Sequence, residues 1–306
     1  MNNDTSSQKL IQLLIHLDGA YAQNTLRAYK ADMLEFMAYC DKTGACALPA
    51  SPKTVAEFLM QTVPQGIKSS TIRRKVSSIS AIHRLSSLDD PTKHSEVRIT
   101  QRKIYRQLGT RFDQAYPITQ TLLTRLLATC GNDIHGLRNR ALLLVAYDSM
   151  RRRSELTSLR VEDIEWLAND GATILLRKSK TDQHGCGKWI HLSAETTHAL
   201  HQWLSTAKIN KGLIFRGVRS SGAITDGLCE SRIAWIYKAL ARKAGLSETF
   251  VQSISGHSMR VGGAQDLLNV GASLPQIMIK GGWAKTDTVL RYVERTRSYS
   301  TLNLHG

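Results

Sequence analysis

The chain has 306 residues, of which 42% are hydrophobic and 22% are charged. A domain usually holds about 150 residues, so this length predicts two domains, and the composition excludes a disordered, collagen-like or low-complexity chain. The longest clean apolar run, from Ala141 to Tyr147, is far shorter than the roughly 20 residues that cross a bilayer. The amino terminus is polar and lacks a signal pattern. We therefore expect a cytoplasmic protein without a membrane segment.

The cysteines indicate a reduced protein without a disulfide framework or a zinc finger. They are odd in number, and no two of them form a CxxC pair. We therefore expect no disulfide and no structural metal. The cysteines are Cys40, Cys46, Cys130, Cys186 and Cys229.

The net charge is strongly positive. The chain holds 41 Lys and Arg against 25 Asp and Glu, which gives +16 at pH 7. Residues 68–111 carry 11 basic and 3 acidic side chains, whereas residues 1–60 carry 5 basic and 6 acidic ones. Such a basic stretch favours a polyanionic partner, with nucleic acid as the first candidate and an anionic membrane surface as the second. The alternative is a solvated basic face without a partner.

Five helices are predicted before residue 110, because apolar residues recur at helical spacing in each segment. Gly44 ends the second helix. Ser51 and Pro52 begin the third, since proline at the first turn has no N–H that the helix needs. The predicted helices lie near residues 10–17, 24–43, 51–59, 69–88 and 95–108.

The fourth and fifth of these helices carry the basic residues. Arg73, Arg74 and Lys75 lie off the apolar stripe of the fourth helix, so they can face DNA. Basic side chains on one face are suited to contacts with phosphates, and neighbouring side chains could read base edges. The predicted DNA-binding residues are Lys68, Arg73, Arg74, Lys75, Arg84, Arg102, Lys103 and Arg106.

The second half of the chain is predicted to be mainly helical with a small sheet. The step from Tyr116 to Pro117 favours extended backbone, and residues 111–117 are the predicted linker. Three short β segments are predicted near 161–166, 172–178 and 187–192, with a polar hairpin tip before the third. The predicted helices lie near residues 119–130, 136–149, 153–159, 194–206, 229–244, 256–270, 273–280 and 285–292.

Four clusters in this half could carry chemistry, although each alone has an ordinary structural explanation. In chain order, the first lies at the end of an apolar helix, the second leads into the hairpin tip, and the third and fourth contain glycine. The clusters are Arg151, Arg152, Arg153 and Glu155; Lys178 and Lys180; the stretch 256–262 with His257 and Arg260; and the stretch 281–283 with Trp283, followed by Tyr292.

Taken together, the clusters fit phosphodiester cleavage by a protein nucleophile. Arg152 and Arg260 could clamp a phosphate, since the planar guanidinium matches phosphate oxygens. Tyr292 is an oxygen nucleophile that needs a base or a cationic site, because its ordinary pKa is about 10. His257 can transfer a proton near neutral pH, and Lys180 can protonate the leaving 5′-oxygen. Positive side chains would replace the Mg²⁺ of two-metal nucleases.

In this order the clusters resemble the tyrosine recombinases of the phage integrase family, most closely the Cre-like site-specific recombinases. The stretch 146–156 is similar to the family's first-arginine box, with Arg152 as catalytic residue and Glu155 as its supporting acid. Lys180 is similar to the mobile hairpin lysine. The stretch 256–262 matches the H-x-x-R box with His257 and Arg260. The remaining matches are Trp283 at the H/W position and Tyr292 at the nucleophile position.

The resemblance implies a mainly α fold in which a helical DNA-binding domain (1–110) and a catalytic domain with a three-stranded antiparallel sheet (118–306) form a C-shaped clamp on DNA. It implies cleavage through a 3′-phosphotyrosyl link, exchange through a Holliday junction, and a homotetramer on sites with inverted repeats. The free protein is expected to be a monomer. Neither cofactor nor metal is expected. A nucleoid-associated protein of a prokaryote or mobile element is implied.

Several alternatives stay open at this level. Arg151 or Arg153 could replace Arg152, and Lys178 could replace Lys180. Glu155 could be an exposed surface acid. A type IB topoisomerase-like relaxase shares the residue set, and a non-catalytic DNA-binding regulator would use only the helices. A phosphatase or RNA nuclease built on Arg and His would lack a nucleophile box of its own.

Overall fold

A computed structural model describes residues 2–110, 114–179 and 187–294. The chain divides into two compact units, with the boundary between Asp113 and Gln114. Each unit has its own hydrophobic core. Within the described residues, no helix is long and apolar enough to span a membrane.

The described part of the first unit is helical, as predicted. Ser51 caps the third helix, where its Oγ accepts the Thr54 N–H at 3.1 Å. The fourth helix ends earlier than predicted, because Ser87 has a left-handed backbone with φ of 57°. The helices are α1 (Asn2–His16), α2 (Gln23–Thr43), α3 (Pro52–Thr62), α4 (Ser69–Leu85) and α5 (Ser95–Leu108).

The core of the first unit lies among α2, α3, α4 and α5. Phe36, Leu59 and Ile79 are fully buried there. Two ion pairs fasten α4 to α2: Arg74 contacts Asp32 at 2.5 Å, and Lys75 contacts Glu35. Ser78 also donates to Asp32 at 2.7 Å, so the polar contacts between these helices accompany the apolar core.

The described part of the second unit is mostly helical and contains one small sheet, which confirms the predicted fold class. Residues 248–253 form a short helix that the apolar pattern does not predict. The elements are α6 (Gln120–Ala128), α7 (Ile134–Ser149), α8 (Arg153–Ser158), β1 (Ile164–Trp166), β2 (Ala172–Leu176), β3 (Lys188–Leu192), α9 (Ala194–Thr206), α10 (Glu230–Lys243), α11 (Glu248–Ser253), α12 (Ser258–Asn269), α13 (Leu274–Gly281) and α14 (Thr286–Val293).

The sheet is antiparallel with the order β1, β2, β3. Ile174 in β2 lies opposite Ile164 in β1 and Ile190 in β3. β2 is almost wholly buried, whereas β3 alternates between buried and exposed residues. The sheet therefore covers the helical core with its middle strand.

Two apolar clusters organise the second unit. The larger one surrounds α7, a helix that is buried over much of its length and whose Leu142, Leu143 and Val145 are fully buried. The smaller one supports the predicted catalytic segments, because it joins the end of α7 to α12, α13 and α14. Its buried members are Met150, Ala264, Ile277, Trp283, Val289 and Val293.

Candidate active site

The three consecutive arginines lie in three different environments. Arg151 is buried, with Nε donating to Ser149 O at 3.0 Å and Nη2 donating to Lys280 O. Arg153 covers Gly256, where its side chain occupies the place that a Cβ atom would need. The Arg152 side chain is 20% exposed and pairs with Glu155. Arg151 is thus engaged by backbone carbonyls and Arg153 by packing, whereas Arg152 is partly exposed; the choice of Arg152 as the phosphate ligand stays a prediction.

Glu155 is buried and holds Arg152. It is 3% exposed, so the alternative of an exposed surface acid is wrong. Its Oε2 accepts the Arg152 N–H at 3.0 Å, and its Oε1 accepts Arg152 Nη1 at 2.6 Å. Burial alone would raise the pKa of this carboxyl, but the hydrogen bonds and the positive charge of Arg152 outweigh it and lower the pKa. Glu155 is therefore ionised at neutral pH.

Arg260 connects Met150, which precedes the three arginines, to Gly281, which precedes Trp283 by two residues. It extends from the first turn of α12 and is 1% exposed. Its Nη1 donates to Met150 O and, at 3.1 Å, to Gly281 O. Its Cζ lies 4.4 Å from the centre of the Trp283 ring, within the range of a cation–π contact. Burial, followed by the charge of Arg152, lowers the pKa of Arg260 to about 10, so this cation stays charged at neutral pH.

Tyr292 lies against Trp283. The two ring centres are 5.8 Å apart, with an interplanar angle of 63°. Val289 and Val293 anchor α14 in the smaller apolar cluster, and Tyr292 is partly buried beside them. Trp283 therefore contacts both Tyr292 and Arg260. The predicted nucleophile, the aromatic residue and the buried arginine are thus brought together in one place.

Three successive carbonyls at the end of α13 each accept a hydrogen bond from a cation. Lys188 Nζ donates to Ile279 O at 2.8 Å, Arg151 donates to Lys280 O, and Arg260 donates to Gly281 O at 3.1 Å. The carboxyl end of a helix carries partial negative charge and unpaired carbonyls, so cations stabilise it. We call these acceptors, from residues 279 to 281, the carbonyl cluster. It fixes the turn that leads to Trp283.

His257 and Lys178 are both exposed. His257 is exposed and immediately precedes α12, where its N–H donates to Ser255 Oγ at 3.1 Å. Lys178 is exposed just after β2. Lys180 lies outside the described residues. The choice between the two lysines therefore stays a prediction.

Comparison with known sequences decides the family. The sequence profile of the phage integrase family matches residues 117–298, and that of the phage integrase N-terminal SAM-like domain matches residues 11–86. An integrase/recombinase XerD homolog from Selenomonas ruminantium is 32% identical over 96% of this chain and 87% of its own length. The recombinase Cre of Escherichia phage P1 is 27% identical over 91% of this chain and 86% of its own. The chain belongs to the phage integrase family. It is a tyrosine recombinase, as the motifs predict.

Solved structures agree with this family in fold. A complex of the XerH site-specific recombinase with a palindromic difH substrate aligns with a TM-score of 0.67 at 20% identity, over 90% of this chain and 77% of that one. The Tn1549 transposon integrase in complex with transposon right-end DNA gives 0.64 at 16% identity, over 92% and 94% of the two chains. Because both identities are 20% or lower, these two structures support the fold of this chain and no more.

In the first unit of the recombinase, most predicted DNA-binding residues are exposed, but Lys75 is not. Lys75 is 2% exposed, pairs with Glu35, and has its ammonium 5.2 Å from the centre of the Phe58 ring. The expectation that it faces DNA is wrong, because side chains from α2 and α3 cover it. Arg74 is exposed but paired with Asp32. The other exposed members are Lys68, Arg73, Arg84, Arg102, Lys103 and Arg106.

Two supporting residues of the recombinase site are missed by sequence reasoning. The sequence predicts Lys188 only as part of a strand and Arg151 only as an alternative to Arg152. Both donate to main-chain carbonyls that are remote in sequence, which leaves no local pattern. Burial, followed by the charge of Arg151, lowers the pKa of Lys188. Lys188 and Arg151 thus donate to neighbouring carbonyls of the carbonyl cluster.

Proposed function

We propose that this recombinase cuts and rejoins duplex DNA at specific sites through a covalent bond to Tyr292. The observation that carries the proposal is the contact of Tyr292 with Trp283, which in turn lies against the buried Arg260. Arg260 therefore lies one side chain away from the proposed nucleophile, and a fixed cation so placed would stabilise the charged transition state.

The proposed reaction is a transesterification. The Tyr292 oxygen attacks the scissile phosphorus, its proton passes to His257, and the bond from phosphorus to the 5′-oxygen breaks. Arg152 and Arg260 hold the non-bridging oxygens, and Lys180 protonates the leaving 5′-oxygen. The products are a 3′-phosphotyrosyl link and a free 5′-hydroxyl. A 5′-hydroxyl from a second duplex reverses the step and joins the strands, so the reaction needs neither ATP nor a metal.

The proposed partner is double-stranded DNA with an inverted-repeat site. The exposed cations on α4 and α5 would contact DNA phosphates. They include Arg73, Arg102 and Arg106. Four copies would join two duplexes and pass through a Holliday junction, whereas the protein without DNA would be a monomer. Such a protein would associate with the nucleoid of its host.

The test requires a DNA site, which Tyr292→Phe can identify because it should bind DNA without cutting it. Duplexes retained by this variant are selected from a random-sequence library. A nicked duplex built on the selected site then traps the cleaved state, since the short strand beyond the cut diffuses away. Wild type and variant are incubated with this duplex, with and without EDTA, and separated on a denaturing gel.

A covalent adduct that maps to Tyr292 by mass spectrometry, resists EDTA and is absent from Tyr292→Phe would support the proposal. An adduct at Tyr299 or at any other residue would overturn the assignment of the nucleophile. Intact binding without an adduct in the wild type would overturn the cleavage mechanism itself. Relaxation of supercoiled plasmid without strand exchange between two labelled duplexes would instead indicate a topoisomerase-like activity.

A further inference from the structure

The main-chain carbonyl of Tyr292 accepts two side-chain amides. Gln265 Nε2 donates to it at 2.9 Å, and Gln114 Nε2 donates to it at 3.1 Å. Tyr292 lies in the last turn of α14, where carbonyls have no partner within the helix. A carbonyl oxygen has two lone pairs, so the two amides satisfy it completely.

We propose that Gln265 and Gln114 are positioning residues for the nucleophile, an inference that rests on the proposed function of Tyr292. The contact with Trp283 orients the ring, whereas the two amides fix the backbone from which the ring extends. Both constraints are needed, because a ring that rotates correctly on a displaced backbone does not bring its oxygen to the phosphorus.

Gln265 is attached to a firmly anchored helix. It is 8% exposed on α12. Its neighbour Asp266 accepts the Tyr147 hydroxyl at 2.5 Å and the Gln120 N–H at 2.7 Å, so α12 is tied to α7 and to the start of α6. The amide of Gln265 is therefore presented from a rigid support.

Gln114 approaches from a different part of the unit. It begins a segment whose backbone is hydrogen-bonded to residues before and within the H-x-x-R box. Tyr116 N donates to Ser253 O and Ile118 N donates to Ser258 O, both at 3.0 Å. A residue within the predicted linker (111–117) thus contacts the nucleophile's own backbone. Gln114 therefore connects the position of this segment to the position of Tyr292.

The expected effect of losing these amides is on the cleavage step and not on DNA affinity. A displacement of about 1 Å in a reacting group can lower a rate by about 100-fold. We expect Gln265→Met to slow adduct formation on the nicked duplex by about 10-fold to 100-fold and to leave binding unchanged. Gln114→Met should have a smaller effect. The double variant should lose more than the product of the single losses, because in each single variant the other amide still satisfies the carbonyl.

The matched control is Gln252→Met. Gln252 lies on α11, where its side chain contacts Lys238 and Glu248 and not Tyr292. This variant should cleave like the wild type.

Gln265→Glu separates positioning from a merely structural role. At neutral pH its carboxylate cannot donate to the carbonyl, but after protonation its hydroxyl can. The rate of this variant relative to the wild type should therefore rise as the pH falls, whereas the ratio for Gln265→Met should stay constant. Even if Gln265→Met fails to fold, this ratio decides the proposal.

The outcomes distinguish this inference from the proposed function. Absence of an adduct in the wild type, or an adduct in Tyr292→Phe, would contradict the proposed function. A wild type that cleaves through Tyr292, together with full cleavage in the double variant, would overturn the role of the two amides alone. The role of the amides would also be overturned if the rate of Gln265→Glu relative to the wild type did not change with pH. The same holds if the loss of cleavage followed only the fraction of unfolded protein.

Discussion

Arg152 and Glu155 form a closed pair at the start of α8. The carboxylate accepts the Arg152 N–H at 3.0 Å and its Nη1 at 2.6 Å, so one acid fixes both the backbone and the guanidinium of the arginine. The same carboxylate is close enough to Arg260 for the two charges to interact. A single buried negative charge therefore partly balances the cations predicted to hold the phosphate.

Replacing Glu155 with Gln should destabilise the fold and slow cleavage. The substitution leaves Arg152 without a counter-charge near the like-charged Arg151 and Arg260. Breaking such a buried pair costs about 3 kcal/mol of unfolding free energy. Urea unfolding of the full chain measures the loss.

The control for that variant is Glu162→Gln, because the carboxylate of Glu162 is exposed and lies 3.5 Å from Arg160. A much smaller change is expected there, since exposed ion pairs contribute little. Equal losses in the two variants would contradict the role assigned to Glu155.

Gly282→Ala should cost more stability than Gly271→Ala. Both glycines have left-handed backbones, with φ of 66° and 86°, so alanine at either position costs about 1 kcal/mol in backbone strain. A Cβ atom on residue 282 would also lie 2.5 Å from Arg151 Nη1, whereas one on residue 271 would meet nothing within 4 Å. Overpacking adds about 1–3 kcal/mol at position 282.

Chemical unfolding in the Arg151→Met background checks the cause of that difference. Removing the guanidinium should bring the cost of Gly282→Ala down to that of Gly271→Ala. An unchanged cost would show that the arginine is not what excludes a side chain there.

The first unit should lose stability as the pH falls below 6.5. His83 is fully buried, and its Nε2 accepts the Ala50 N–H at 3.0 Å, so Nδ1 carries the proton and donates to Ile79 O at 2.8 Å. Burial lowers the pKa of His83 below its ordinary value of 6.5. The unfolded chain therefore binds a proton first, and the stability that is full above pH 6.5 is lost as the pH falls towards the folded value.

The loss of stability of the first unit is measured by hydrogen exchange of α4 peptides at about pH 7.5 and about pH 5.5, with the rates corrected for intrinsic exchange. His83→Gln keeps a donor and an acceptor but does not titrate, so its α4 should show a weaker pH dependence. The same pH dependence in both proteins would assign the effect to another group.

DNA binding should distinguish Lys75 from the exposed cations. Each phosphate contact adds about 1 to the slope of log affinity against log salt. Arg102→Gln should lower this slope by about 1, whereas Lys75→Met should leave it unchanged because Lys75 is buried against Glu35. Fluorescence anisotropy over a series of salt concentrations checks both. A lower slope for Lys75→Met would restore this lysine as a phosphate ligand.

The sequence predicts the fold class well because most helices carry an apolar stripe and clear ends. Helix α9 has the predicted bounds, and Gly44 follows α2 as predicted. The short helix α11 is missed because Val251 is its one buried residue, so it shows no apolar stripe. Lys75 is misplaced because α2 and α3 cover it, and the sequence of α4 does not contain that information.

For the candidate site, the order of motifs predicts Arg260, Trp283 and Tyr292, and the structure brings these three residues together. The order of motifs does not suffice to choose among three adjacent arginines, because the acceptor that engages Arg151 lies 129 residues further along the chain. Gln114 is likewise 178 residues from Tyr292. Contacts of this kind follow from tertiary structure and leave no spacing to recognise.

The carbonyl cluster at the end of α13 has a consequence for sequence variation. Lys188, Arg151 and Arg260 bind main-chain oxygens, so the identity of the side chains at positions 279 and 280 matters little to those bonds. Ile279 is 67% exposed. Among functional variants, residue 279 should therefore diversify freely, whereas Lys280 also pairs through its side chain with Asp148 at 3.4 Å. Selection should instead preserve the three cations and Gly282, although these lie in four separate parts of the chain.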